Sequence, residues 1–265
     1  MKREEFEMFG DKHKHYESLT DHQLMAGLPT VVRLDGRAFH TFTKNFKRPF
    51  DEQFHQAMVD TTRFLMDETH AILGYTQSDE ISLVMSGELM FNGRLQKMCS
   101  TTAALASAYF RDQMVSINPK LPIATFDSRV FQYPNMSMAF ECLVWREADA
   151  IRNSVSMLAQ SLFSHKQLQN VGHKEKLKIA EEIGMPWDKL EVWKQRGSLL
   201  AKRYHRKGLD EAILAKMPEH LREVKRNETF IRAAYEVIDT LPSLGQMYEE
   251  IGSEAALEKI VAKRP

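Results

Sequence analysis

The chain has 265 residues, 43% hydrophobic and 27% charged, which suits one large soluble domain, or a domain with an appendage, around a sizeable core. Its 36 Lys and Arg balance 36 Asp and Glu, so no global field draws it to nucleic acid or membrane; a polyanion site must come from local asymmetry. Cys99 and Cys142, each in an apolar stretch, read as small buried side chains and not as a disulfide framework. The charged start Met1-Lys2-Arg3-Glu4-Glu5 and the lack of any run of transmembrane length point to a cytoplasmic protein with no membrane contact.

Residues 1–28 read as a polar, partly helical lead-in that breaks near Gly27 and Pro29. Thr30 to Leu34 is β-branched and apolar, the pattern of a buried strand. After a loop ending at Pro49, the residues Phe54, Met58, Phe64 and Leu65 lie roughly on one helical face, with Asp51 placed near its start. Ala71 to Thr76 and Ile81 to Met85 predict a hairpin around Gln77-Ser78-Asp79. Leu95 to Val115, rich in Ala, Met and Leu, predicts a long helix, and Ile123 to Tyr133 alternates like a strand. The order is β-α-β-β-α-β, a ferredoxin-like α+β arrangement in which the first strand and the hairpin are neighbours. From Ser137 the chain reads as mostly helical, amphipathic over Glu141 to Phe163 and charged over Lys174 to Ile183, with a break at Gly184-Met185-Pro186. Lys194 to Lys207 holds Lys194, Arg196, Lys202, Arg203, Arg206 and Lys207 and no acid, either a solvated face or a phosphate-backbone contact.

Two strings carry chemistry, Val31-Val32-Arg33-Leu34-Asp35-Gly36-Arg37 and Tyr75-Thr76-Gln77-Ser78-Asp79-Glu80. Singly, an aspartate after a strand begins a turn more often than it holds a metal. On adjacent strands, Asp35 and Asp79 could approach each other and bridge two Mg²⁺ ions, with the Gly36 carbonyl as a further oxygen donor. Glu80 is a candidate supporting carboxylate or an exposed hairpin charge. No P-loop or dinucleotide fingerprint occurs, so phosphates would fall to Arg37, Arg94 and Lys97, the last two on one helical face. His40, just past Asp35-Gly36, is placed to contact a nucleotide. The other histidines lack zinc spacing, and no nucleophile elbow or catalytic cysteine constellation is present.

Arg33-Leu34-Asp35-Gly36-Arg37-Ala38-Phe39-His40, Gln77-Ser78-Asp79-Glu80, Phe126-Asp127-Ser128-Arg129-Val130 with Tyr133-Pro134, and Trp145-Arg146-Glu147-Ala148-Asp149 are the strings that matter for kinship. In order and spacing they resemble the tRNA-His guanylyltransferase superfamily, most closely its bacterial-type, Thg1-like branch, over roughly residues 10–200. Gly10-Asp11 and Arg196-Gly197-Ser198 also fit. The resemblance implies a catalytic domain at 1–135, comprising the lead-in and a palm similar to those of polymerases and cyclases. The rest of the chain, 136–265, is expected to be a mostly helical, RNA-contacting region packed on that palm; the tail beyond Lys207 lies outside the resemblance. By the same resemblance Asp35, Gly36 and Asp79 bind two Mg²⁺ ions, Asp35 to His40 with Ser78 and Asp79 line the nucleotide pocket, and Arg94 and Lys97 hold triphosphate. The implied substrates are ATP, GTP or other nucleoside triphosphates and the acceptor end of a tRNA; the implied assembly is a homotetramer. The implied chemistry runs 3′ to 5′. A 5′-monophosphorylated tRNA is adenylylated by ATP, and the 3′-hydroxyl of an incoming nucleotide then displaces AMP.

One departure matters. The eukaryotic-type enzymes carry His-Ile-Asn-Asn after the Trp-Arg-x-Ala-Asp segment, where this chain has Ile151-Arg152-Asn153-Ser154. That looks like the branch that repairs truncated 5′ ends against a template, rather than one adding a single guanosine. Arg152, Asn153, Lys194, Arg196, Lys202, Arg203 and Arg206 are the expected RNA contacts. Two other readings stay open: a palm-fold nucleotidyl cyclase, which has no use for the 194–207 run, and a non-catalytic RNA-binding module, which does not need both aspartates.

Overall fold

The computed structural model describes residues 3–262 except 162 and 165. Six strands form one antiparallel sheet: β1 (Thr30–Gly36), β2 (Leu73–Gln77), β3 (Glu80–Met85), β4 (Phe126–Gln132), β5 (Ser198–Gly208) and β6 (Thr229–Val237). Their spatial order is β4-β1-β3-β2-β5-β6. The first four follow the expected ferredoxin-like arrangement, with β1 between β4 and β3.

Over β1, β2 and β3 both faces of the sheet are covered. The lead-in helix α1 (Arg3–Ser18) and the short α2 (Phe39–Phe42) precede α3 (Glu52–Thr69) and α4 (Leu95–Ile117). On one face Val32, Leu34, Ile81 and Leu83 pack with Met58, Leu65 and Met66 of α3 and Met98 and Phe110 of α4. On the other, Val31, Leu73, Tyr75 and Val84 pack with Phe140 and Leu143 of α5 (Met136–Gln160). Burial on both sides is why β1 and β3 read as largely apolar runs, since both strands are packed on both faces. Each such Leu or Phe contributes about 1.5–3 kcal/mol on leaving water. Asp51 caps α3, accepting from the Phe54 amide at 2.9 Å, and Asn135 caps α5, accepting from Met138 at 3.0 Å.

Beyond α5 the chain continues through α6 (His173–Glu182), α7 (Val192–Arg196), α8 (Glu211–Ala215), α9 (Glu219–Arg226) and α10 (Leu244–Ile260), the last joining α5 on the same face. The region read from sequence as mostly helical also carries two strands. From Ser198 the basic run is strand β5, paired with β2 from Thr76↔Ser198 to Leu73↔Ala201 and with β6 from Leu200↔Val237 to Gly208↔Thr229. The sheet therefore crosses position 135/136. Only the first four residues of β5 are buried; its far half and β6 form a two-stranded ribbon open to solvent on both faces.

Candidate active site at the β1 end and the β2–β3 turn

β1 leaves the sheet on Asp35-Gly36, and β3 enters it on Glu80, with Asp35 and Glu80 in register. The Gly36 amide donates to the Asp79 carbonyl at 3.0 Å, which ties the strand end to the turn. Ser78, at φ 52, gives that turn its left-handed step. The two aspartates are thus brought together as expected. Burial pushes the Asp79 carboxyl above its ordinary range and the neighbouring Asp35 charge adds to this; hydrogen bonds from its own backbone and from Ser78 work against them.

Gly36 owes its identity to space. A Cβ there would lie 2.5 and 2.6 Å from ring atoms of Phe39 and 2.8 Å from the Asp79 Cβ. Phe39 cannot retreat: it is buried, with Phe126 at 5.0 Å, Phe42 at 5.1 Å and Phe110 at 5.5 Å between ring centroids. Two mutually repelling carboxylates and a backbone carbonyl that can be approached closely form an all-oxygen donor set suited to Mg²⁺. Among the described residues no three His, Cys, Asp or Glu converge as a closed metal cage.

A cavity of about 280 Å³ opens at this point, lined by Gly36, Ala38, Phe39, His40, Ser78 and Asp79 among others. Through His40, Thr43, Phe54 and Ser78 it adjoins a chamber of about 320 Å³ walled by Phe46, Phe50 and Trp193, with Met157 and Gln160 of α5 across it. Lys47 and Arg48 also line the chamber. His55 stacks on Trp193 at 4.2 Å and 11°, and its Nε2 lies 3.2 Å from the Ser198 hydroxyl. Burial lowers its pKa from 6.5 to about 4, against the opposing charge of Glu191, so the ring is neutral at pH 7. Of these chamber residues only His40 and Ser78 were expected at the site from the sequence. Phe46 and Phe50 are visible aromatics of the loop before α3, and Phe54 reads in sequence only as part of a helix face; Trp193 comes from far along the chain and gave no signal.

The solved structure of a bacterial tRNA(His) guanylyltransferase (Thg1)-like protein in complex with ATP is 30% identical, with a TM-score of 0.75, covering 92% of this chain and 97% of that one. The chain belongs to the Thg1 family. Its family model, described as tRNAHis guanylyltransferase, matches residues 10–134. A bacterial Thg1-like protein in complex with GTP is 28% identical, with a TM-score of 0.72, covering 95% of this chain and 99% of that one. The tRNA(His) guanylyltransferase of Schizosaccharomyces pombe is 34% identical over 54% of this chain and 56% of its own length. The family is one of nucleotidyltransferases, and the part of this Thg1-family chain that its model matches contains β1 to β4.

Other expected positions divide. Glu80 shares a sheet face with Asp35 but is held by Arg146. Both its oxygens accept from Arg146, at 2.5 Å from Nε and 2.8 Å from Nη2. Burial still raises its carboxyl, outweighing Arg146. Arg94 and Lys97 sit at the start of α4, which follows the Met85 end of β3. Six residues of strand place that end on the order of 17 Å from Asp79, and neither cation lines either cavity. There Arg94 pairs with Gln23 of the lead-in, and Lys97 lies 4.7 Å over the Phe91 ring. Arg37 is exposed and lines neither cavity.

Among the expected RNA contacts, Arg196 is an internal anchor: it donates to Glu147 at 3.1 Å and to the Leu241 carbonyl at 2.6 Å. Glu147 is only 3% exposed, and burial raises its carboxyl despite Arg196. Lys194 is paired with Glu191 at 2.5 Å, Arg152 with Asp149 at 2.8 Å, and Asn153 with Asp149 at 3.3 Å. Arg203 donates to the Ile260 carbonyl, and Lys202 lies 5.8 Å over Tyr235. Arg206 and Lys207 stand exposed on the ribbon.

Proposed function

We propose that this chain is a template-dependent 3′-to-5′ nucleotidyltransferase that rebuilds the 5′ ends of tRNA. The observation that carries the reading is the pair Asp35 and Asp79, joined through Gly36, with Gly36 and Asp79 lining the adjoining cavity. Asp35, Asp79 and the Gly36 carbonyl would hold two Mg²⁺ ions, which when bound lower the pKa of an attacking hydroxyl and neutralise the leaving phosphate. The protein's own part is positional. The cavity at Ser78 and His40 receives the phosphates, and the aromatic chamber takes the nucleoside and keeps water from it. In the first step a 5′-phosphate oxygen of the RNA attacks the α-phosphorus of ATP and pyrophosphate leaves. In the second, the 3′-hydroxyl of a nucleoside triphosphate attacks the activated 5′-phosphorus and AMP leaves. The bacterial relatives in complex with ATP and GTP support both nucleotide partners.

Ile151 in place of a histidine supports repair over single-guanosine addition. Arg206 and Lys207, uncommitted to buried partners, supply the backbone contacts to tRNA. A cytoplasmic homotetramer completes the reading, with its mass in solution as the check; among the described residues no helix is long and apolar enough to cross a membrane. The test uses a 5′-monophosphorylated tRNA lacking its first nucleotide, incubated with protein, Mg²⁺, ATP and each single nucleoside triphosphate. Addition of only the nucleotide complementary to the opposing base is expected. Guanosine added solely to full-length tRNA-His would replace repair with guanylyl transfer, and cyclic nucleotide formed without RNA would replace both with a cyclase.

A further inference from the structure

The antiparallel register places Asp35 directly between Glu80 on β3 and Asp127 on β4. Residues opposite one another in such a ladder have Cβ atoms about 4.5–5.5 Å apart on one sheet face. An unrestrained Glu80 would therefore reach any cation held by Asp35 and Asp79. It is restrained from the other side. Arg146 of α5 takes both oxygens of Glu80 in a two-pronged bond, and the two side chains are only 13% and 20% exposed. Arg146 is itself braced: Asp149 accepts from it at 3.1 Å, and the Trp145 ring lies 4.5 Å away. Asp149 in turn accepts from Arg152 and Asn153. Asp127, on the opposite flank, lies 3.7 Å from Arg129.

We propose that Arg146 is a positioning residue that withholds Glu80 from the cation site, so that the site offers two carboxylates and not three. The inference rests on the reading of Asp35 and Asp79 as that site. Before nucleotide arrives, two carboxylates balance a first divalent ion and leave its remaining positions, and the second ion, to the phosphate oxygens. A third would occupy one of those positions and turn the site net negative, which tightens the bare ion and repels a triphosphate. Arg146 thus makes cation binding depend on the nucleotide.

The experiment is Mn²⁺ binding to the full chain without nucleotide, followed by electron paramagnetic resonance, together with KM for ATP. In Arg146→Gln, Glu80 is released: Mn²⁺ affinity rises about tenfold, ~1.4 kcal/mol, and KM for ATP rises while wild-type Mn²⁺ stays weak. Adding Glu80→Gln to that variant returns Mn²⁺ affinity to the wild-type value. Arg146→Lys keeps the charge but loses the two-pronged bond and gives an intermediate rise, which serves if Arg146→Gln does not fold. Mn²⁺ affinity unchanged or lower in whichever Arg146 variant folds overturns the proposal, as does tightening that survives Glu80→Gln. Asp35→Asn separates the two layers. If it leaves Mn²⁺ binding intact, the cation site itself is misplaced and the role of Arg146 falls with it.

Discussion

Replacing Gly36 by Ala tests the close approach on which the site depends, because alanine keeps the backbone carbonyl and adds only a methyl group. Gly36 has no left-handed φ to protect, so any effect must come from contact. The new carbon would fall 2.5 Å from the Phe39 ring and 2.8 Å from the Asp79 Cβ, both well inside van der Waals distance. Phe39 is wedged among Phe42, Phe110 and Phe126, so the turn carrying Asp79 is the side that gives. Overpacking of this kind costs about 1–3 kcal/mol, and at about 2–3 °C per kcal/mol for a chain of this size the melting temperature falls by about 2–9 °C. A carboxylate moved by a fraction of an ångström up to about 1 Å loses on the order of 10- to 100-fold in turnover. The control is Gly10→Ala: nothing lies within 4 Å of its Cβ position in α1, and alanine there favours the helix by up to about 1 kcal/mol. Thermal unfolding and nucleotide transfer would be measured on both. Gly36→Ala with wild-type melting and turnover would refute the packing argument.

Asp35→Asn and Asp79→Asn should each abolish transfer while tRNA affinity stays within about twofold, since the expected RNA contacts lie elsewhere; equal losses in binding and turnover would contradict the cation role. Arg206→Ala with Lys207→Ala should reduce the slope of log affinity against log salt by about 1.5–2, and an unchanged slope would return the ribbon to a plain solvated surface. His55, lowered from 6.5 to about 4 by burial, takes up its proton more readily when unfolded, so its contribution is full above pH 6.5 and drains away as pH falls toward 4. At ~1.4 kcal/mol per pH unit that is about 3 kcal/mol, and His55→Gln should flatten the pH dependence of stability across that window. Equal slopes in the two proteins would show that the ring is not buried neutral.

The palm was legible because its strands are sandwiched. β1 and β3 are packed on both faces, so their sequences are largely apolar, interrupted by Arg33 and Ser82, and Asp51 announced the start of α3. The neighbouring of Asp35 and Asp79 followed from strand order alone. β5 and β6 were missed for the converse reason: past Ala201 the ribbon is solvated on both faces, so neither period 2 nor an apolar run marks it. The direction of Glu80 hung on the left-handed step at Ser78 and on a partner 66 residues away. Arg94 and Lys97 follow the hairpin closely in sequence, yet β3 runs away from the acidic turn before α4 begins. The burial of Arg196 needed Glu147, whose place on α5 no local pattern reveals.

The first four residues of β5 are hydrogen-bonded to β2, the strand that leads straight into Gln77-Ser78-Asp79, while the other end of β5 carries Arg206 and Lys207. From Ser198 to Arg206 that strand advances on the order of 27 Å. One continuous lattice of backbone hydrogen bonds thus joins the basic tip to the acidic turn. If the proposed function holds, with RNA on the tip and its 5′ end at the turn, the sheet would act as a ruler, setting a fixed span that an RNA must match in length before any base is read.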